Sequence, residues 1–417
     1  MATFEAQFGL EGLDLEDVQR LRAIAADGIP WPHELDEARF AEHAKPRRAN
    51  EEAAGLVLEH LAKLQQENLA LVFPSATKLD TPINVVSPHV AYKRFTPEGR
   101  FCVDLSNVED QGWAPNDEFD REVAARVFGQ YSDPDFLDAW RYFAAQGADV
   151  GWFWSKTDVK KGFTNLRLSY AAARVQAFEV GGFRVVPIAA HFGGSYQPYA
   201  FLVFSRLVQA TARRLAPDGC AVVKTDDIIT AGPSEEVANR TRKGAEHATL
   251  ALFGPGRIHP LKTVEATQEL EWLGWVLRSS RRLEISASAY KRRKLQYLLC
   301  VLIPEGALEA KRSALDVVCG FVQFLTLVIL PARPLALFFQ SMRRGKEANR
   351  NAVVRLCPSC RYALDGMRAF AAFEELLTRD ARSAVDTERW YPEGATAAVE
   401  TDASTSVGGG GLISGDP

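Results

Sequence analysis

Cysteine is sparse in this chain, and what there is does not gather into a framework. Six cysteines are scattered through 417 residues, with one Cys-x-x-Cys spacing, Cys357-Pro-Ser-Cys360. A structural zinc site would draw on a second such pair, which is missing, so Cys357 and Cys360 are read as structural or incidental. This usage suits a reducing compartment, and so an intracellular setting, cytoplasm or nucleus. Long apolar runs are lacking too. The best candidate, Val317 to Ala332, has 16 residues, contains Gln323 and is followed by Arg333. A membrane-spanning helix wants ~20 apolar residues, so a buried helix is expected and no membrane partner. Met1 to Glu16 is acidic, with no basic segment leading into an apolar core, and is not expected to act as a secretory signal. No internal repeat is present.

What the chain does have is apolar content and an uneven charge. With 47% hydrophobic residues over this length, it can bury more than one core, and two or three subdomains are expected. The net charge is only −4, but residues 151–350 hold 29 Lys+Arg against 16 Asp+Glu. The remainder holds 20 against 37, so a basic middle is flanked by acidic ends. That distribution suits a core that binds a polyanion.

Residues 1–52 are acidic and Ala-rich and read as a leader or linker. Glu52 to Gln66 places Leu58, Leu61 and Leu64 on a helical period. From Leu69 to Leu105, short Val, Ile and Phe runs broken by Pro and Gly predict strands and hairpins. Trp152-Phe153-Trp154 opens another strand, and Arg184 to Ile188 a further one. Gln197 to Leu215 predicts a helix, with Pro198 in its first turn where a missing N–H costs little. Ala221 to Val223 and Ile228 to Thr230 predict two strands around a hairpin tip. Beyond residue 280 the pattern is mostly helical, with basic clusters at Lys291-Arg-Arg-Lys294 and Arg343-Arg-Gly-Lys346.

Two acidic clusters stand inside these strand-like runs: Asp158 in Lys156-Thr-Asp-Val159, and Asp226-Asp227 in Lys224-Thr-Asp-Asp227. Carboxylates converging from two strands can hold a pair of divalent cations, the device for in-line phosphoryl transfer.

Taken in order, the segments around them resemble the fingers, palm and thumb of reverse transcriptases from retroviruses and retrotransposons. The likeness runs over roughly residues 53 to 395 and is strongest against long-terminal-repeat and DIRS-type elements. Lys93-Arg-Phe-Thr-Pro-Glu-Gly-Arg100 looks like the fingers hairpin whose Lys and Arg grip the incoming triphosphate, with Asp104 as a supporting carboxylate. Preorganised cations suit that charge, and Arg engages phosphate oxygens bidentately. Asp158-Val-Lys-Lys-Gly-Phe163 is similar to the first catalytic motif. There the resemblance implies metal contacts from Asp158 and the Val159 carbonyl, with Phe163 under the sugar, excluding a ribose 2′-hydroxyl. Phe192-Gly193-Gly194-Ser-Tyr-Gln197-Pro-Tyr-Ala-Phe201 is similar to the Phe-Gly-Leu-x-x-Ala-Pro-x-x-Phe loop beside nucleotide and template. It departs from that pattern at Gly194 and Gln197.

Lys224-Thr-Asp226-Asp227 stands where the family has Tyr-x-Asp-Asp, with Lys224 the larger departure. Neighbours on a strand point to opposite faces, so Asp226 is taken as the direct metal ligand and Asp227 as its support. Lys262, followed by Trp272-Leu-Gly-Trp275, resembles a palm lysine that protonates departing pyrophosphate and the turn that grips the primer end. Thr401-Asp402-Ala-Ser404 before a Gly run looks like the opening of a ribonuclease H domain.

The resemblance therefore implies an α+β, right-hand polymerase fold. Its fingers and palm would lie in residues 53–280, a helical thumb and connection in 281–395, and a ribonuclease H-like strand with a Gly-rich tail in 396–417. It implies an RNA-directed DNA polymerase working on a template–primer duplex and dNTPs with two Mg²⁺ ions, Mn²⁺ substituting. A chain stopping inside the last motif is what a piece of a longer polyprotein would look like. Three alternatives stay open. One is a degenerate relative that binds nucleic acid or a partner without polymerising, favoured by Lys224 and Gln197. The others are an unrelated metal-dependent nuclease or cyclase, and an interaction protein whose aspartates are only caps.

Overall fold

The computed structural model describes residues 1–43, 54–92, 99–106, 113–329, 352–372, 378–380, 397–402 and 410–415. Lys93 and the basic cluster at 343–346 lie outside them. The chain divides into two compact units, residues 1–135 with 151–268, and residues 136–150 with 269–417. The division falls near residue 268 rather than 280, and Phe136–Ala145 is a helix of the second unit inserted in the first.

In the first unit the strands are β1 (Ala70–Pro74), β2 (Val85–Val86), β3 (Pro88–Tyr92), β4 (Gly99–Val103), β5 (Phe153–Asp158), β6 (Ala177–Val180), β7 (Phe183–Pro187), β8 (Cys220–Lys224), β9 (Asp227–Gly232) and β10 (Val264–Thr267). One sheet runs β1-β7-β6-β2, and β3 pairs with β4 as a separate hairpin. The second sheet, β10-β5-β9-β8, is antiparallel throughout. Neighbouring strands β8 and β9 carry unbroken buried runs, Cys220 to Val223 and Ile228 to Gly232, so both faces are covered there. Polar residues within those runs find partners, as burial demands. Ser155 Oγ and Thr230 Oγ1 lie 2.7 Å apart across β5 and β9, and both reach the Ala238 carbonyl.

Two helices cover this sheet, Gln197–Leu215, as expected, and Glu235–Phe253. The second starts at Ser234, whose side chain accepts from the Val237 N–H and satisfies a donor that the first turn leaves open. Gly244 lies where the two helices approach, an added Cβ falling 3.4 Å from Leu215. Phe201, Phe204, Leu207, Val208 and Ala212 form the centre of the main core with Val223 and Ile228 from the sheet.

Residues 1–43 are not a leader. Helices Ala2–Phe8 and Leu15–Asp27 put Phe4, Val18, Leu21 and Ile24 into that same core. The acidic composition hid an amphipathic helix capped by Asp14, which accepts from the Glu16 N–H at 2.8 Å. The acidity also serves a contact. Asp17, 3% exposed, takes a two-pronged hydrogen bond from Arg206 of the central helix, at 2.6 and 2.7 Å. Arg206 donates to the Phe128 and Gln130 carbonyls as well, so one guanidinium ties three segments together.

The second unit has more strand than its sequence pattern implies. β11 (Glu269–Trp272), β12 (Trp275–Arg278) and β13 (Glu284–Ala287) form an antiparallel sheet with Thr378–Asp380. Leu273 and Gly274 make the β11–β12 turn with φ of 50° and 84°, the left-handed pair that a tight hairpin favours. A Cβ at Gly274 would lie 2.4 Å from Lys291 Cε, so the lysine stem would have to move to admit one. Lys291 is not a free basic group: its ammonium sits 4.3 Å over the Phe324 ring, and burial holds it below the usual lysine range. The run at 317–332 begins within helix Arg312–Leu325, whose Leu315, Val318, Val322 and Leu325 are buried on a helical period. Among the described residues no helix is long and apolar enough to cross a membrane. Ala397–Asp402 pairs with Gly410–Gly415 as an antiparallel hairpin, with Asp402 opposite Gly410.

If the Asp17–Arg206 pair fastens the N-terminal helices, Asp17→Ala leaves a largely buried guanidinium without its carboxylate. Urea denaturation should show a loss of about 3 kcal/mol. A midpoint within a few tenths of wild type would mean the helices are held by apolar contact alone.

Candidate active site

The sheet register brings the acids together. Asp158 ends β5 directly opposite Asp227, the first residue of β9. Asp226 is not in a strand but in the two-residue turn between Lys224 and Asp227, so strand alternation does not set its direction. Its backbone does: the Asp226 carbonyl accepts from the Val159 N–H at 2.8 Å, tying the hairpin tip to the end of β5. On the far side of Asp158, its carbonyl accepts from the His259 N–H at 2.9 Å, which delivers the 260–262 turn and Lys262.

The tip itself is under backbone strain. Thr225 has φ of 51°, a left-handed conformation unfavourable for a β-branched residue by about 1–3 kcal/mol. Three contacts offset this. Thr225 Oγ1 donates to Asp133 at 3.1 Å, Lys224 Nζ donates to the same carboxylate at 2.7 Å, and Ser205 Oγ donates to the Thr225 carbonyl at 2.9 Å. Lys224 is thus an anchor for the turn, facing Asp133. Nothing in the sequence around Asp133 marks it, because its role exists only once the hairpin folds against it.

Negative charge is concentrated here. The Asp227 carboxyl is pushed up to about 6, first by burial and then by the charges of Asp226 and Asp158, with Lys262 acting in the opposite sense. Lys262 Nζ donates to Asp158 Oδ2 at 2.8 Å. Burial acts to lower the Lys262 ammonium, but the bond to Asp158 and the charges of all three aspartates outweigh it and hold it above the usual lysine range.

A cavity of about 310 Å³ opens beside the acids. Asp158, Val159, Asp226 and Lys262 line one part of it, Phe163 and Phe192 another, and Leu64 and Leu69 the apolar end. Phe163 stands edge-on to both Phe192 and Phe201, with centroids 5.3 and 5.6 Å apart, which fixes its ring as a wall. Lys161 and Glu67 form an ion pair at the rim.

Phe192 and Gly193 fasten the β3–β4 hairpin to this wall. The Val103 N–H donates to the Phe192 carbonyl at 2.9 Å, and a Cβ at position 193 would lie 1.9 Å from the Val103 oxygen. Only glycine fits, and its φ of 127° requires the same. Asn116 completes the clamp, donating to the Gly193 carbonyl and accepting from the Ser195 N–H. Gln197, expected to contact substrate, does not line the cavity. It is 2% exposed and donates to Gln176 Oε1 at 2.7 Å. Its side chain takes the space that a Cβ at position 194 would enter, 2.8 Å away. The two departures from the expected loop pattern are therefore one change, a glycine making room for a larger neighbour. Arg100 lies on β4 opposite Ala91 in the hairpin register, and Asp104 caps a turn by accepting from the Ser106 N–H.

In charge the acids suit a divalent cation: three carboxylates are close enough to raise Asp227, beside an open cavity. In preformed geometry they do not. Among the described residues no group of three or more His, Cys, Asp or Glu side chains is arranged to hold a metal ion, and Lys262 occupies an oxygen of Asp158.

No protein-family model and no curated protein sequence matches the chain. Solved structures do. A foamy viral protease–reverse transcriptase in complex with double-stranded DNA superimposes with a TM-score of 0.55 at 12% identity, over 89% of this chain and 59% of that one. A second structure of the foamy viral protein with double-stranded DNA gives 0.53 at 11%, over 89% and 71%. One with an RNA/DNA hybrid gives 0.52 at 13%, over 89% and 46%. The fold is that of a reverse transcriptase, α+β as expected, and the chain spans about three-fifths of the first of these neighbours.

The raised Asp227 carboxyl has a consequence for stability. A folded value above the unfolded one stabilises the protein below the unfolded pKa of 3.8, and that contribution is lost as pH rises through about 6. At pH 7, without divalent cations, the charged Asp227 opposes folding by up to about 3 kcal/mol. Asp227→Asn should therefore raise the melting temperature at pH 7 and leave it nearly unchanged at pH 4. Equal effects at both pH values would show that the charge is not responsible.

Proposed function

We propose that the chain is an RNA-directed DNA polymerase of a retroelement, transferring a nucleotide from a dNTP to a primer 3′-hydroxyl on an RNA or DNA template. The observation that carries this is the meeting of Asp158, Asp226, Asp227 and Lys262 at one end of an antiparallel sheet, beside a cavity walled by Phe163. The fold likeness to reverse transcriptases supports it. Asp158 and Asp226, with the Val159 carbonyl, would hold Mg²⁺ or Mn²⁺. When bound, such ions lower the pKa of the attacking hydroxyl and neutralise the departing pyrophosphate.

The protein's own residues do the rest. Lys262 is fully protonated and borders the cavity, so it can leave Asp158 for a phosphate oxygen and give up a proton as the leaving group departs. Phe163 is held edge-on between two other rings and cannot swing aside, so it would meet a 2′-hydroxyl as a steric wall. Phe192, which lines the cavity, is bonded to Val103 at the end of the β3–β4 hairpin, and Arg100 on that hairpin, with Lys93, would receive the triphosphate. The duplex would lie along basic surface, with an affinity that falls steeply as salt rises. A reducing intracellular compartment, cytoplasm or nucleus, is part of the same reading.

A second reading is favoured by one observation: the Lys262 ammonium already pairs with Asp158. On that reading the fold binds nucleic acid or a partner without polymerising. Primer extension on an RNA template with Mg²⁺ or Mn²⁺ separates the two. Wild type should extend the primer, and Asp226→Ala should fall by more than about 100-fold. Phe163→Val should admit ribonucleotides while keeping deoxynucleotide incorporation. No extension by folded wild type would support the binding-only reading.

A further inference from the structure

Outside this site, the second unit carries a pair of thiols in an unequal arrangement. Cys357 immediately precedes helix Pro358–Ala372 and is exposed, whereas Cys360, in the first turn, is 5% exposed. Their spacing puts both on one side of the helix start, and the sulfurs lie 2.9 Å apart without a disulfide between them. The first turn of a helix leaves N–H groups open, and they favour negative charge there. The Cys357 thiol is held below the usual cysteine range, first by the hydrogen bond from Cys360, with the Cys360 and Ser359 N–H groups adding to it. Burial, followed by the Cys357 sulfur, pushes Cys360 up to about 12. One sulfur is thus accessible and more readily ionised than an ordinary thiol, and the other is sheltered beside it. A groove of about 300 Å³, lined by Pro304, Gly306, Pro358, Arg361 and Tyr362, adjoins this helix start.

We infer that Cys357 and Cys360 form a thiol–disulfide exchange site, in which Cys357 attacks a small-molecule disulfide and Cys360 resolves the product. In the first step the Cys357 thiolate bonds to one sulfur of RS–SR. The S–S bond breaks, and RS⁻ leaves and takes a proton from water. In the second, Cys360 gives its proton to water and its sulfur bonds to the Cys357 sulfur; the mixed S–S bond breaks, and the second RS⁻ leaves and takes up a proton. The protein loses two thiol hydrogens, and one disulfide is reduced to two thiols. The accessible sulfur does the attacking because exchange rates follow thiolate fraction and access. This inference is independent of the polymerase reading and changes the expectation that the Cys-x-x-Cys is incidental.

The test uses the full chain with oxidised glutathione at pH 7.5, followed by intact mass and alkylation mapping. Wild type should lose two hydrogens, with Cys357 and Cys360 both protected from alkylation and dithiothreitol restoring both. Cys360→Ser should stop at the first step and gain one glutathionyl group at Cys357, while Cys357→Ser should gain none at Cys360. In the reduced wild type, Cys357 should react with iodoacetamide at pH 7 about tenfold faster than exposed Cys300. Cys357 and Cys360 both remaining alkylatable after glutathione treatment would overturn the inference. So would a Cys360→Ser protein that carries the adduct on Cys300 instead of Cys357.

Discussion

The structure depends on one electrostatic constraint, the confinement of three carboxylates where they repel one another. Asp158 and Asp227 face each other across a fully paired antiparallel register, and Asp226 is drawn beside them by the Val159 N–H. Left alone, carboxylates so placed would push the strands apart. The sheet does not yield because β8 and β9 are buried along their length, and because the Lys262 ammonium stands against Asp158. Repulsion that the fold will not relax is expressed as a raised Asp227 carboxyl. On the proposed reading, that concentrated charge is what would draw a cation to the site once Lys262 gives up its oxygen of Asp158.

The strain at the hairpin tip belongs to the same design. A tight turn is needed to bring Asp226 near β5, and Thr225 adopts a left-handed backbone to make it. Lys224 and Asp133 fix that turn by an ion pair, with Asp133 12% exposed at its side chain and therefore little screened by solvent. Seen in the fold, Lys224 supplies a polar anchor where an aromatic residue would supply a packed one. Gly194 and Gln197 likewise compensate each other. Both departures that count against activity when the motifs are read alone leave the carboxylates in place.

Much of the sheet and the site was legible in the sequence, for physical reasons that differ by residue. The 197–215 helix and the strands around Lys-Thr-Asp-Asp were readable because apolar period and a terminal proline act locally. Asp158, Asp226, Asp227 and Lys262 were singled out through motif order, and the strand register, the hairpin turn and the 260–262 turn bring them together. What stayed hidden is non-local. Asp17 reads as one acid in an acidic stretch until Arg206, 189 residues later, arrives beside it. Asn116 and Asp133 bond to loops that no local pattern links to them. Lys291 looked like part of a basic track, yet its stem fills the space over Gly274 and its ammonium caps Phe324.

If these acids form one cation-binding centre, as proposed, Mn²⁺ titration followed by electron paramagnetic resonance will show it. Wild type should bind Mn²⁺, with the free-ion signal falling as protein is added. Asp158→Asn and Asp226→Asn should each abolish that loss of signal, and Lys262→Met should strengthen binding by freeing an oxygen of Asp158. Mn²⁺ binding unchanged by either aspartate substitution, or absent from the folded wild-type protein, would contradict the account.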